Sequence, residues 1–87
     1  MEKLSYGVLR ERLAEAREVV PEYTQWRHYK GGEYIVKMVA IREAEQDVVV
    51  IYSPMDHLDI PMSRPFNEWS DEVEWDGQNV TRFSLID

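Results

Sequence analysis

"YTQWRHYKGGEYIVKMVAIR", residues 23–42, consists of two runs rich in aromatic and β-branched residues, divided by Gly31-Gly32. A glycine pair tolerates the positive φ angles of a tight turn, so the stretch predicts a β-hairpin. In a two-residue turn Lys30 stands opposite Glu33 and Tyr29 opposite Tyr34, giving a charge pair and an aromatic pair across the ladder. From Tyr34 onward one face reads Tyr, Val, Met, Ala and the other Ile, Lys, Val, Ile. Apolar residues on both faces predict a strand covered on both sides, as a barrel wall with a helix over it is.

The pattern extends in both directions. On the N-terminal side Leu4, Val8, Leu9, Leu13, Ala16 and Val20 recur at helical spacing, with Ser5 as N-cap and Pro21 as stop. This predicts an amphipathic helix within residues 1–21, lying on the β-barrel-like core of residues 22–87. On the C-terminal side "DVVVIYS", from Asp47, follows the turn Ala44–Gln46 and reads as a third strand buried on both faces. Residues 53–65 carry Pro54, Pro61 and Pro65 and read as the longest loop. "RPFNEWSDEV" predicts a short helix with Pro65 at its first position and Phe66 and Trp69 on one face. "EVEW" and "NVTRFSLI" bracket Asp76-Gly77, a strong hairpin signal. The expectation is one α+β, mostly β domain over residues 1–87, with five antiparallel strands.

Composition limits what such a domain does. The 87 residues suit one small domain, and 44% hydrophobic with 11% aromatic content argues for a packed core. Without cysteine there is no disulfide or thiolate chemistry and no sulfur-based zinc site. No apolar run is long enough to span a bilayer and no leader pattern opens the chain, so a cytoplasmic protein is expected. A formal charge of −7 repels polyanions and disfavours nucleic acid and anionic lipid as partners.

Catalytic signatures are weak. No serine stands in a G-x-S-x-G elbow, and neither a Walker loop nor a G-x-G-x-x-G is present. Asp56, His57 and Asp59 lie in a Pro-bounded turn that reads as solvated rather than metal-binding. The expectation is a protein without catalytic residues, metal or cofactor.

"WRHYKGGEY", "VVIY", "RPFNEW" and "DGQNVTRF" together resemble the bacterial and phage domain-of-unknown-function family 1653, over roughly residues 26–84. The resemblance implies a small SH3-like barrel with a short helix in the Arg-Pro segment before the last hairpin; the N-terminal helix lies outside the stretch it covers and is expected to pack on that barrel. It transfers no activity. Shared polar positions are Arg27, His28, Lys30, Arg64 and Arg82, with Trp26, Tyr29, Tyr34, Tyr52, Phe66 and Phe83 as shared aromatics. Where the family shows A-R-H-x-E this chain has Ala40-Ile41-Arg42-Glu43, so a second histidine is missing; the aromatic before the Arg-Pro step is replaced as well.

Guanidinium forks match phosphate oxygens and aromatic faces stack on nucleobases. The expected ligand is therefore a small phosphorylated or nucleotide-like anion, held by Arg27, His28, Lys30, Arg64 and Arg82 with Trp26, Tyr29 or Tyr34 stacking. In a phage setting this suits sequestration of a nucleotide signal. Purely structural roles stand against it: His28 bonded within the core, Lys30 paired with Glu33, Arg82 stacked on Trp75. A protein-interaction adaptor with an aromatic groove is the alternative function, and a homodimer is a candidate assembly.

Overall fold

The computed structural model describes residues 3–86. Helix α1 (Tyr6–Val19) starts where the Ser5 side chain accepts the Val8 N–H, and it ends before Pro21. Its inward side delivers Ala16 and Val20 to the core, with Leu13 packed against them. The buried Gln46 fastens the start of the helix: its Oε1 accepts the Leu4 N–H at 3.0 Å while its Nε2 donates to the Glu43 carbonyl.

Strands β1 (Gln25–His28), β2 (Glu33–Arg42), β3 (Asp47–Pro54) and β4 (Met62–Pro65) follow. After them come the one-turn helix α2 (Phe66–Trp69) and strands β5 (Glu72–Trp75), β6 (Gln78–Thr81) and β7 (Phe83–Ile86). The main sheet is antiparallel with strand order β4-β3-β2-β1-β7, and β5-β6 form a separate two-stranded sheet. Among the described residues β4 and β7 are the edges of an open ladder. No helix among them is long and apolar enough to cross a membrane.

The first hairpin differs in register from the expected one. Trp26 faces Tyr34 and Arg27 faces Glu33, so Tyr29, Lys30 and Gly31 form a three-residue loop. His28 N–H donates to the Gly32 carbonyl and Gly31 N–H to the His28 carbonyl, both at 2.7 Å. Only Gly31 takes a positive φ, 105°, as such loops require at their last position. Gly32 serves differently: a Cβ there would lie 3.0 Å from the Tyr34 hydroxyl. The expected Lys30–Glu33 pair is replaced by Arg27–Glu33 at 3.3 Å.

A bulge between Val36 and Met38 explains why β2 looked apolar on both faces. It leaves Lys37 without a partner and switches the alternation, so Val36, Val39 and Ile41 pair with Tyr52, Val50 and Val48 on the core side. Met38 is turned out and is 48% exposed, so double-sided cover does not hold for β2. It holds for β3, where Val49 and Ser53 are buried on the face opposite Val48, Val50 and Tyr52.

Two further expectations are corrected. Residues 62–65, expected as loop, pair with β3 as an edge strand; an edge position tolerates Pro65, which becomes the N-cap of α2 instead of its first residue. "NVTRFSLI" is two strands, because the chain bends at Arg82 so that β6 pairs with β5 and β7 with β1.

Candidate functional site

Phe83 is the point on which the site is assembled. Opposite His28 in the β1–β7 ladder, it stacks flat on Trp69 with ring centres 3.9 Å apart. The His28 ring meets it edge-on at 5.0 Å, Tyr34 and Tyr52 at 5.8 Å, and the Arg64 guanidinium lies 5.9 Å from its centre. One core phenylalanine thus draws together side chains from the first hairpin, the strand before α2 and the last strand.

Arg82 sits at the bend beside it. Its carbonyl accepts the Tyr29 N–H, its own N–H donates to the Asp71 carbonyl, and its Nε donates to Asp71 Oδ1, each at 2.9 Å. These bonds fix the bend. The hydrogen bond to Asp71 also raises the Arg82 pKa, against an opposing effect of desolvation. Arg82 therefore pairs with Asp71, not with Trp75.

His28 lies in a region of positive charge. Its pKa is lowered, first by desolvation and then by the positive charges of Arg64, Arg82 and Lys30. Its Nδ1 accepts the Lys30 N–H at 3.2 Å, which leaves the ring proton of the neutral form on Nε2. Arg64 Nη1 lies 3.3 Å from Glu68 Oε1, whereas its buried Nε has no acceptor; the buried Trp69 Nε1 has none either. Lys30 lies over the Tyr29 ring at 5.8 Å.

A cleft of about 450 Å³ opens between the β1–β7 edge and the β5–β6 hairpin. Arg27, His28 and Tyr29 form one side, Leu85 and Ile86 continue it, and Trp75 and Val80 face them. Tyr29 and Trp75 meet edge-on at 5.2 Å across the junction. This volume is within the range of small-molecule sites. A second depression of about 400 Å³, between α1 and the β2–β3 turn, is lined by Leu4, Leu9, Leu13 and Ile41 together with Tyr6 and four polar or charged side chains.

Of the residues expected to bind, Arg27, His28 and Tyr29 line the cleft, whereas Lys30, Arg64 and Arg82 do not; after burial, the charges of these three also lower the His28 pKa. Trp26 and Tyr34 are placed otherwise. Trp26 is buried, edge-on to Trp69 at 5.7 Å with its Nε1 donating to Thr24, and Tyr34 packs on Tyr52 and Phe83. Trp75 and Val80 were not singled out as lining residues, though their alternation in the Asp-Gly hairpin put them on one of its faces. Among the described residues no group of three or more His, Asp or Glu is placed to hold a metal ion.

The chain belongs to the family described as proteins of unknown function, DUF1653, which it matches over residues 24–85. No curated protein and no solved structure matches it. The matched segment begins just before β1 and runs into the last strand, so it includes every cleft residue but Ile86 and leaves α1 outside.

Proposed function

We propose that this family member is a noncatalytic binder of a small phosphorylated or nucleotide-like anion, seated in the cleft between the β1–β7 edge and the β5–β6 hairpin. One observation carries the reading: Arg27 and His28 line a cleft beside the Tyr29 and Trp75 rings, and the His28 ring shares Phe83 with the Arg64 guanidinium, so groups from separate parts of the chain meet at one place. Tyr29 and Trp75 offer rings for a base, and Arg27 and His28 offer donors for an anionic group. The two sheets act as walls of a small SH3-like barrel, and the protein sequesters its ligand in the cytoplasm of a bacterial or phage-infected cell.

Native mass spectrometry of protein purified from cells tests this first, with a retained nucleotide-sized mass as the expected result. A panel of nucleotides then identifies the class: a true ligand raises unfolding stability by about 2.7 kcal/mol at a hundredfold excess over Kd. Trp75→Ala, which removes a half-exposed cleft residue, abolishes that increment while the free protein stays folded. Absence of retained mass together with no stabilisation by any small anion rejects the reading.

A second reading, a peptide adaptor, is favoured by the open β7 edge beside exposed Leu85 and Trp75, which suits addition of an extended strand. Peptide-library selection that enriches one linear motif, lost on Leu85→Asp, supports it over the small-molecule reading.

A further inference from the structure

The loop that carries His28 is closed by a bond that only the neutral imidazole can accept. Lys30 N–H donates to Nδ1 at 3.2 Å, and Gly31 N–H donates to the His28 carbonyl, so ring and backbone of one residue together hold the turn Tyr29–Gly31. A proton on Nδ1 converts that acceptor into a donor facing the Lys30 amide, and the bond is lost. Burial lowers the His28 pKa first, and the charges that lower it further are all positive: Arg64 from β4, Arg82 from the bend before β7 and Lys30 in its own loop. Arg64 and Arg82 are themselves ion-paired, with Glu68 and Asp71, and Arg27 is paired with Glu33. Tyr29 and Phe83 present rings to His28, with centres at 4.4 and 5.0 Å.

We propose that capture of an anion in the cleft is coupled to uptake of one solvent proton by His28 and to release of the Lys30 amide from Nδ1, making Tyr29–Gly31 a latch set by proton and anion together. The coupling rests on the anion-binding reading above. An anion beside His28 offsets the field of Arg64, Arg82 and Lys30, which is part of what keeps the ring neutral. The imidazolium then contributes a charged donor to the ligand, while the freed Lys30 amide becomes available to its oxygens; the Gly31 N–H stays on the His28 carbonyl. Linkage is reciprocal: whatever the anion does to the proton, the proton does to the anion.

The test is an NMR titration of His28 with and without sulfate at constant ionic strength, sulfate keeping one charge state over the range used. His57→Gln removes the other histidine signal; that side chain is in an exposed turn beside Asp56. The expected result is a His28 midpoint below the ordinary 6.5 in chloride that moves upward with sulfate, and a Lys30 amide resonance that moves with the same midpoint. Sulfate binding tightens about tenfold for each pH unit by which that midpoint is displaced. His28→Asn keeps an acceptor for the amide two residues on, as in an Asx-turn, but does not titrate, so its sulfate affinity is expected to be flat from pH 5 to 8. If sulfate shifts the cleft resonances while the His28 midpoint stays fixed, the latch is wrong and the anion site stands. A Lys30 amide unmoved by the His28 titration likewise overturns the latch. If sulfate perturbs none of these signals, the anion reading fails and the latch fails with it.

Discussion

Trp69, wholly buried, lies flat on Phe83 and edge-on to Trp26 and Tyr52, yet its indole N–H has no acceptor. The residue is kept for its area, so its two truncations separate. Trp69→Ala is expected to cost about 3–5 kcal/mol in urea unfolding, as emptying a large core site does. Trp69→Phe loses volume but also removes the orphaned donor, whose burial itself costs about 1–3 kcal/mol, and is expected to be clearly milder. Gly31 shows the opposite economy. A Cβ there meets nothing within 4 Å, so Gly31→Ala destabilises only through its φ of 105°, by roughly 1 kcal/mol. His28 adds a pH dependence. Its pKa is lowered on folding, so its neutral form contributes stability that is fully present above the unfolded value near 6.5 and is lost as pH falls through the lower folded value. The urea midpoint is expected to drop between pH 7.5 and 5.5, and less so in His28→Asn.

Among the elements, Arg82 decides whether the last stretch is one strand or two. Its backbone and side chain both engage Asp71, so the bend is a unit rather than a flexible joint. Arg82→Ala and Asp71→Ala should therefore couple in a double-mutant cycle, by about 0.5–1 kcal/mol because the pair is only partly shielded from water. The sequence could not reveal this bend: "NVTRFSLI" has strand propensity throughout, and the carboxylate that breaks it lies eleven residues earlier. The bulge at Lys37 was hidden for a related reason, since period-2 reading assigns faces correctly only until one residue is inserted. By contrast, α1 and the Asp76-Gly77 turn were legible because their determinants are local: a serine cap with apolar spacing, and two adjacent residues with φ of 54° and 77°. For the site, residue type was legible and depth was not. Trp26 and Tyr34 sit in the same motif as Arg27 and Tyr29, but strand alternation and ring packing send the first two into the core.

At the scale of the whole molecule the cleft exists because a two-stranded sheet is held against the edge of a five-stranded one. The two walls differ in how firmly they are built. Val36, Val50 and Trp26 lie in a core shared by α1, α2 and four strands, whereas Val73 and Val80 of the hairpin are only half-buried. A two-stranded hairpin has little stability of its own. Its docking depends on the Tyr29–Trp75 ring contact, the Arg82–Asp71 bonds and the Thr81–Ser84 hydroxyl pair at 2.9 Å. The hairpin is therefore expected to open without the rest, and native-state hydrogen exchange checks this: amides of Val73 and Val80 exchange by a low-energy local opening, those of Val36 and Val50 only by global unfolding. Trp75→Ala should accelerate the first pair and leave the second unchanged. A ligand lodged in the cleft touches both walls, so it must slow hairpin exchange by the factor its own binding supplies, [L]/Kd at saturation. A molecule that stabilises the protein without slowing Val73 and Val80 binds somewhere other than this cleft.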